Sequence, residues 1–254
     1  MIREIEAKYV KQLFDNWEES LIWSCLDGTM GHLYATGGDN PRAVMAIIAD
    51  FCFLAGEPDE ELVRFKPEWC SQDFIIMVPQ SDKWSLVIEK VYGKDANKVT
   101  RFATQKSNDT FNREKLKSME QNLSSEYHLE KIDKELFDQC KANDWSHDLV
   151  SHYPDYESYQ RLGLGVVAMK DNEILSGASS YTRYQDGIEI EIDTKEQHRR
   201  KGLALACGAK LILECMERNL YPNWDAQNKG SLELAEKLGY QFSHEYTAYE
   251  ILAY

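Results

Sequence analysis

The sequence predicts an α/β or α+β protein, and three observations in its C-terminal half lead to this fold class. Residues 165–193 hold three strand-like segments separated by the turns "DNE" and "QDG", as in β-hairpins. A long apolar helix begins at Gly202 and runs to about Asn219, and the short strand "PNWDA" follows it. The helix "SLELAEKLGY" then ends at Gly239, a residue type favoured after helix ends. This order indicates a mixed sheet flanked by helices.

The segments on either side complete the predicted C-terminal half. Residues 127–133 predict a strand, residues 134–145 a helix and residues 147–163 an aromatic-rich helical loop. "YQFSHEYTAYEI" closes the chain as a strand or a hairpin.

The N-terminal half predicts an α/β region. We expect an opening helix around residues 4–18, and strands at "FIIMVP", "WSLVIEKVY" and "KVTRFATQ", which are β-branched or aromatic and bounded by turn residues. The apolar residues 43–56 form a buried strand or a buried helix, because periodicity alone does not distinguish the two. Residues 107–125 predict a polar helix joining the halves, which suggests domains of residues 1–122 and 123–254.

Bulk composition restricts the function classes. The chain has 254 residues, of which 43% are hydrophobic and 28% charged, as in folded soluble proteins. Its net charge of −14 argues against a nucleic-acid partner, which needs clustered lysine and arginine. The charge favours a cationic partner or substrate, although many proteins are acidic only for solubility. The longest apolar run is interrupted by Asp50, and the charged N-terminus lacks a signal core. We therefore expect a cytoplasmic protein with no membrane association.

The cysteines and histidines favour no metal site. No two cysteines form a CxxC pair, so we expect reduced, mostly buried thiols. His147 and His152 are five residues apart, which is not a strong metal-ligand pattern.

Residues 188–193 alternate strictly between isoleucine and an acid. Because side chains in a strand have a period of two, the three carboxylates share one face. They belong to Glu189, Glu191 and Asp193. A half-exposed strand with a solvated acidic face is the alternative interpretation.

A cluster of positive charge precedes the long helix. Arg199, Arg200 and Lys201 stand directly before Gly202, and the first turn holds only small and apolar residues. First-turn amides lack helical partners and carry partial positive charge, so this helix start predicts a phosphate or pyrophosphate site. A solvated turn before a core helix is the alternative. Neither the GxxxxGK[ST] nor the GxGxxG phosphate loop occurs.

The run Arg199-x-x-Gly202-x-Ala204 resembles the [RQ]-x-x-G-x-[GA] signature of the GNAT superfamily of acyl-CoA-dependent N-acyltransferases. Downstream, "NKGSLELAEKLGY" resembles the second family signature. The resemblance covers roughly the C-terminal half and implies a GNAT fold there. The whole chain also resembles the zwittermicin-A-resistance-type acetyltransferases, which carry an extra N-terminal α/β region. That region could be a degenerate GNAT-like unit, a lid over the acceptor site or the surface of a homodimer.

The resemblance implies acetyl-CoA as co-substrate and no metal. The pyrophosphate would lie at the helix start, and the pantetheine arm would run between the acidic strand and "PNWDA". The residues implied to bind the cofactor are Ile192, Asp193, Thr194, Arg199, Arg200, Lys201, Gly202, Leu203, Ala204, Asn228 and Ser231.

The implied reaction is direct attack of a small-molecule amine on the thioester. An amine with a pKa of about 10.4 must first lose a proton, and a strand carboxylate can accept it. We expect Glu191 in this role, with Glu189 and Asp193 as alternates. A cationic acceptor would contact Trp145, Tyr153 and Tyr156, although ordinary aromatic packing explains these residues equally well.

One position departs from the family pattern. Many GNAT enzymes have a tyrosine four residues before the glycine at the helix end, where it protonates the leaving thiolate. Here that position is Ala235. Tyr240, Tyr246 or water could substitute. The alternative function is a catalytically silent domain that binds acyl-CoA as a sensor or scaffold.

Overall fold

The computed structural model describes residues 1–38, 40–107 and 110–254, which form two compact units. The N unit comprises Met1–Arg101 and Glu245–Tyr254, and the C unit comprises Phe102–His244. The predicted functional boundary between residues 122 and 123 lies inside the C unit and stays a prediction. Among the described residues, no helix has the length and apolar character to cross a membrane.

The N unit is a sheet with helices. Its helices are α1 (Ser20–Asp27), α2 (Glu60–Arg64) and α3 (Asp82–Tyr92). Its strands, in sheet order, are β1 (Arg3–Glu4), β2 (His32–Thr36), β3 (Ala43–Ile48), β4 (Phe51–Gly56), β5 (Ile75–Pro79) and the end of β13 (Phe242–Ile251). Neighbours are antiparallel except β4 and β5, which are parallel.

The apolar run of residues 43–56 is a hairpin of two strands. Ile48 pairs with Phe51 across a turn in which Ala49 has a φ of 54°. Every residue of β3 is buried, which explains why the run shows no alternation of polar and apolar residues.

Two predictions for the N-terminal half are wrong. Residues 4–18 form no α-helix, but a short strand and two 3₁₀ turns, Ala7–Tyr9 and Lys11–Phe14. The predicted strand "WSLVIEKVY" lies in α3, where Trp84 and Ile88 are buried and Leu86 is 66% exposed. Helical periodicity therefore outweighs the β-branched composition that suggested a strand. The strands at "FIIMVP" and "KVTRFATQ" are confirmed as β5 and β6 (Ala96–Thr104).

The C unit matches the predicted element order. Its helices are α4 (Arg113–Gln121), α5 (Lys134–Ala142), α6 (Tyr156–Leu162), α7 (Leu203–Glu217) and α8 (Lys229–Leu238). Its strands are β7 (His128–Lys131), β8 (Gly165–Lys170), β9 (Glu173–Tyr184), β10 (Gly187–Thr194), β11 (Tyr221–Asn223) and β12 (Asp225–Ala226). The sheet order is β11–β10–β9–β8–β7, and only β10 and β11 are parallel.

Three details refine the prediction for the C unit. The predicted polar helix is α4, and Leu116 anchors it in the core; Asn108 and Asp109 of that segment lie outside the described residues. The closing segment is the single strand β13. "PNWDA" is split in two, because β11 pairs with β10 while β12 pairs with Phe102 and Ala103 of β6.

Candidate active site

Strand β10 loses its neighbour β11 after three residues. The parallel pairing runs from Gly187↔Tyr221 to Glu189↔Asn223 and stops. On its other side β10 pairs with β9 as far as Thr194. The chain after β11 instead joins β6, where Thr104 donates a 2.7 Å hydrogen bond to the carbonyl of Trp224. An opening therefore lies alongside residues 190–194 of β10, on the side where β11 no longer pairs with it, and we call it the β10 opening.

Two backbone amides of β10 face this opening. The amide of Lys195 donates to the carbonyl of Leu175 in β9 and therefore points toward β9. Amides alternate in direction along a strand, so those of Ile192 and Thr194 point away from β9. Each is satisfied by the carboxylate of the preceding residue. Ile192 donates to Glu191 at 3.1 Å and Thr194 donates to Asp193 at 2.6 Å. No strand in the described part of the chain pairs with these amides, so an extended ligand could take them.

The three acids of β10 occupy different environments. Glu189 is only 4% exposed; one carboxylate oxygen accepts from the Asn223 side chain and the other from the Asp225 amide at 2.9 Å. Asp193 lies 3.6 Å from the guanidinium of Arg199. Glu191 is half-buried in the middle of the β10 opening. Glu189 therefore bridges the branch point between β10, β11 and β12, while Glu191 borders the opening.

The acidic face of β10 lies under the aromatic-rich segment, residues 147–163. Glu191 pairs across the sheet with Ser179, whose hydroxyl hydrogen-bonds to Tyr159 at 2.9 Å. Asp193 pairs with Gly177, and the side chain of Leu149 covers that glycine. The isoleucines of β10 face the core with α7, as the alternation predicts.

The three predicted acceptor contacts differ in accessibility. Tyr153 is 1% exposed, its hydroxyl bonds to Ser180 at 2.8 Å, and burial raises its pKa to about 12. Tyr153 thus supports the segment from beneath. Trp145 and Tyr156 are half-buried, and Tyr156 packs edge-on against Phe137 with ring centroids 5.8 Å apart.

His152 is a candidate residue that sequence reasoning did not select. Its ring lies 4.2 Å from that of Tyr181, the extra residue in β9 where the register with β10 shifts between Glu189 and Ile190. Burial lowers the pKa of His152 to about 4, against the opposing effect of Asp148, so the imidazole is neutral at pH 7. A histidine in an aromatic loop carries no local signal of this placement.

The start of α7 has the features of an anion site. Its N-cap is Gly202, with a φ of 83° and no side-chain cap, and a Cβ there would meet no described atom within 4 Å. The first-turn amides are therefore open to a ligand. Arg199 braces the preceding loop through a 3.1 Å hydrogen bond from Nε to the Thr194 carbonyl. Together with the exposed Arg200 and Lys201, this helix start fits a pyrophosphate.

The second signature forms the start and end of α8. Asn228 caps the helix by accepting from the Ser231 amide at 3.0 Å, and the Ser231 hydroxyl accepts from Trp224 at 3.1 Å. Ala235 is fully buried. The Tyr240 hydroxyl is buried and donates to the Pro222 carbonyl at 2.6 Å, so it is already engaged. Tyr246 belongs to the N unit.

The described residues contain no group of three or more histidine, cysteine, aspartate or glutamate side chains that could hold a metal ion. All six cysteines are buried free thiols, as the sequence predicts. They are Cys25, Cys52, Cys70, Cys140, Cys207 and Cys215.

Comparison with known proteins extends the resemblance to nearly the whole chain. The model of the GNAT acetyltransferase family matches residues 11–249. An uncharacterised N-acetyltransferase of Bacillus subtilis, YdfB, is 25% identical over 255 residues, covering 94% of each chain. A GCN5-related N-acetyltransferase-like protein from Streptococcus suis has a TM-score of 0.90 and 44% identity, covering 96% of this chain and 97% of its own.

A tandem GNAT protein from the clavulanic acid biosynthesis pathway shares the fold alone, with a TM-score of 0.53 and 8% identity over 98% of this chain and 97% of its own. The matched family extends through both units rather than the C-terminal half alone. The chain belongs to the GNAT acetyltransferase family and is an acyltransferase.

Proposed function

We propose that the protein transfers the acetyl group of acetyl-CoA to a primary amine of a small cationic molecule, by direct attack in a ternary complex. One observation carries this proposal: an uncapped helix start at Gly202 and the β10 opening lie at the two ends of the same loop, beside an acidic strand. GNAT acetyltransferases use acetyl-CoA as co-substrate, and it supplies an activated acetyl thioester.

The residues at both ends of the loop suit this co-substrate. The amides of Leu203 and Ala204, with Arg200 and Lys201, would hold the pyrophosphate by charge-assisted hydrogen bonds. The amides of Ile192 and Thr194 would hold the pantetheine arm, and Asn228 and Ser231 lie at the start of the neighbouring helix α8. Arg199 keeps the loop in shape through Thr194 and Asp193.

Glu191 is the general base in this proposal. Its carboxylate accepts from the Ile192 amide at the edge of the β10 opening, where it would accept a proton from the acceptor amine. Glu189 and Asp193 have other roles, because Glu189 uses both oxygens at the branch point and Asp193 pairs with Arg199.

The acceptor would approach across the segment that covers β10. A cationic amine suits this surface because the acids of β10 attract it and the neutral imidazole of His152 does not repel it. Trp145 and Tyr156 are only half-buried, so part of each residue is accessible to it. Tyr153 acts through the segment it supports.

No side chain of the C unit is assigned as general acid. Ala235 is buried, and the Tyr240 hydroxyl already donates a hydrogen bond to the Pro222 carbonyl. A thiol has a pKa of about 8.5, so a thiolate can leave near neutral pH and take a proton from water. The zwittermicin-A-resistance-type subgroup stays part of this proposal, because a substantial N-terminal unit accompanies the C unit, as in that subgroup.

A thiol-release assay tests the function. The protein and acetyl-CoA are incubated with polyamines, aminoglycosides and amino-polyols, and free CoA is measured. Turnover with at least one cationic amine is expected, and Glu191→Gln should remove it. Tight acetyl-CoA binding without turnover of any amine would instead establish the silent acyl-CoA-binding alternative.

A further inference from the structure

The N unit raises the question of what the first hundred residues do. We infer that it is a second copy of the acyltransferase fold whose cofactor cleft is filled by its own side chains, so that each chain holds a single acyl-CoA. The inference rests on the proposed function for the location of the working cleft.

The two units share one strand and helix order. In the C unit, the antiparallel β8–β9–β10 lead through α7 to a strand parallel to β10, and then to α8. In the N unit, the antiparallel β2–β3–β4 lead through α2 to β5, which is parallel to β4, and then to α3.

The closing strands also correspond, but they are exchanged along the chain. In the N unit β13 pairs antiparallel with β5, and in the C unit β6 pairs antiparallel with β12. Yet β6 follows α3 in the sequence and β13 follows α8. Each unit thus includes part of the strand that follows the last helix of the other, as expected of a duplicated fold with exchanged ends.

The N unit closes the strand opening. Pairing of β4 with β5 reaches Leu54↔Pro79, and the Gln80 amide adds a 3.0 Å bond to the Leu54 carbonyl. Beyond it, the Gly56 amide donates to the Gln80 side chain at 2.9 Å, and Trp84 donates to the Gly56 carbonyl at 3.0 Å. Side chains of the unit therefore occupy the backbone groups that an extended ligand would use.

The N unit also fills its helix start. The carboxylate of Asp59 accepts from the amides of Glu61 at 2.8 Å and Leu62 at 3.2 Å. The first turn of α2 carries two more acids, Glu60 and Glu61, where the C unit has "RRKG". The Asp59 carboxylate occupies the place where a pyrophosphate would bind, and the negative charges of Glu60 and Glu61 lie beside it. Both features oppose the binding of a pyrophosphate.

Binding stoichiometry tests the inference. Calorimetry and native mass spectrometry of the full chain should give one acetyl-CoA per chain. Gly202→Glu should weaken binding at least about 100-fold, because a carboxylate enters the anion site. The matched control is Gly93→Glu in the N unit, which adds the same charge at another glycine of positive φ with no described atom within 4 Å of a Cβ. It should bind acetyl-CoA like the unchanged protein.

The outcomes separate the inference from the proposed function. Two acetyl-CoA molecules per chain, one of them lost in Gly202→Glu, would overturn the closed N unit while leaving the enzyme proposal intact. A single acetyl-CoA retained by Gly202→Glu would overturn the pyrophosphate site at Gly202, on which both proposals depend. Absence of any binding to the unchanged chain would overturn both.

Discussion

Exchanging the side-chain types of Glu189 and Asn223 at the branch point should restore most of the stability that the two single substitutions remove. Glu189→Gln and Asn223→Asp move the carboxylate from β10 to β11. In the double variant the new amide can donate to the new carboxylate, and its oxygen can still accept from the Asp225 amide. The hydrogen bonds of the native bridge are thereby reproduced with the total charge unchanged.

The magnitudes follow from burial. Glu189 is 4% and Asn223 is 2% exposed, so Asn223→Asp alone places two carboxylates together out of water. We expect it to reduce the free energy of unfolding by about 3 kcal/mol or more. Glu189→Gln alone replaces charge-assisted hydrogen bonds by neutral ones and should cost about 1 kcal/mol. The coupling between the two changes should recover about 3 kcal/mol, which is most of the summed loss, in the double variant.

Urea unfolding and steady-state kinetics against acetyl-CoA measure this cycle. If Glu189 holds the branch point, Asn223→Asp raises the KM for acetyl-CoA, and the double variant returns both KM and kcat close to the original values with the same pH profile. A stable double variant that binds acetyl-CoA normally but has a kcat about 100-fold lower would refute the assignment, since Glu189 would then accept the proton itself.

Three further predictions follow from the same geometry. Glu191→Gln should lower kcat by about 10²–10⁴-fold and remove the acidic limb of the pH–rate profile, whereas Asp193→Asn should keep that limb. The pKa of His152 is about 4 in the folded state and about 6.5 in the unfolded state, so protonation below pH 6.5 favours the unfolded chain. This residue should therefore lower the free energy of unfolding by about 2 kcal/mol between pH 7 and pH 5. In urea titrations, His152→Gln should lack this contribution, whereas the exposed control His147→Gln should keep it. Asp59→Ala should cost about 1 kcal/mol of stability as a lost helix cap, with acetyl-CoA affinity unchanged by calorimetry.

The C unit was the more predictable part of the fold because its signals are local. Strict alternation over residues 188–193, turn residues between strands, and glycine at the start of α7 and at the end of α8 act within a few positions, and the structure follows them. The incorrectly predicted strand at "WSLVIEKVY" shows the limit of prediction from composition. The segment is helical although it contains β-branched residues, and the spacing of the buried Trp84 and Ile88 fits one face of a helix.

The roles of the three acids were not predictable from the alternation. The pattern assigns Glu189, Glu191 and Asp193 to one face, but their environments depend on residues distant in sequence. Asn223 and the Asp225 amide, more than thirty positions away, enclose Glu189. Sequence reasoning could rank the acids by position in the strand, but only the packing distinguishes a buried bridge from a half-exposed carboxylate.

The β10 opening itself depends on a contact between residues 120 positions apart in the C unit. The chain leaves β10 at Asn223 because the next residues pair with β6, where Asp225 meets Ala103 and Thr104 holds the Trp224 carbonyl. Both family signatures lie after residue 190, yet the strand that draws "PNWDA" away from β10 comes about 120 residues earlier in the chain. The helix start proposed to bind an anion is therefore encoded locally, whereas the β10 opening depends on the distant strand β6. The opening depends on β6 because no other described strand pairs with β12, and continued pairing of β11 with β10 would close it.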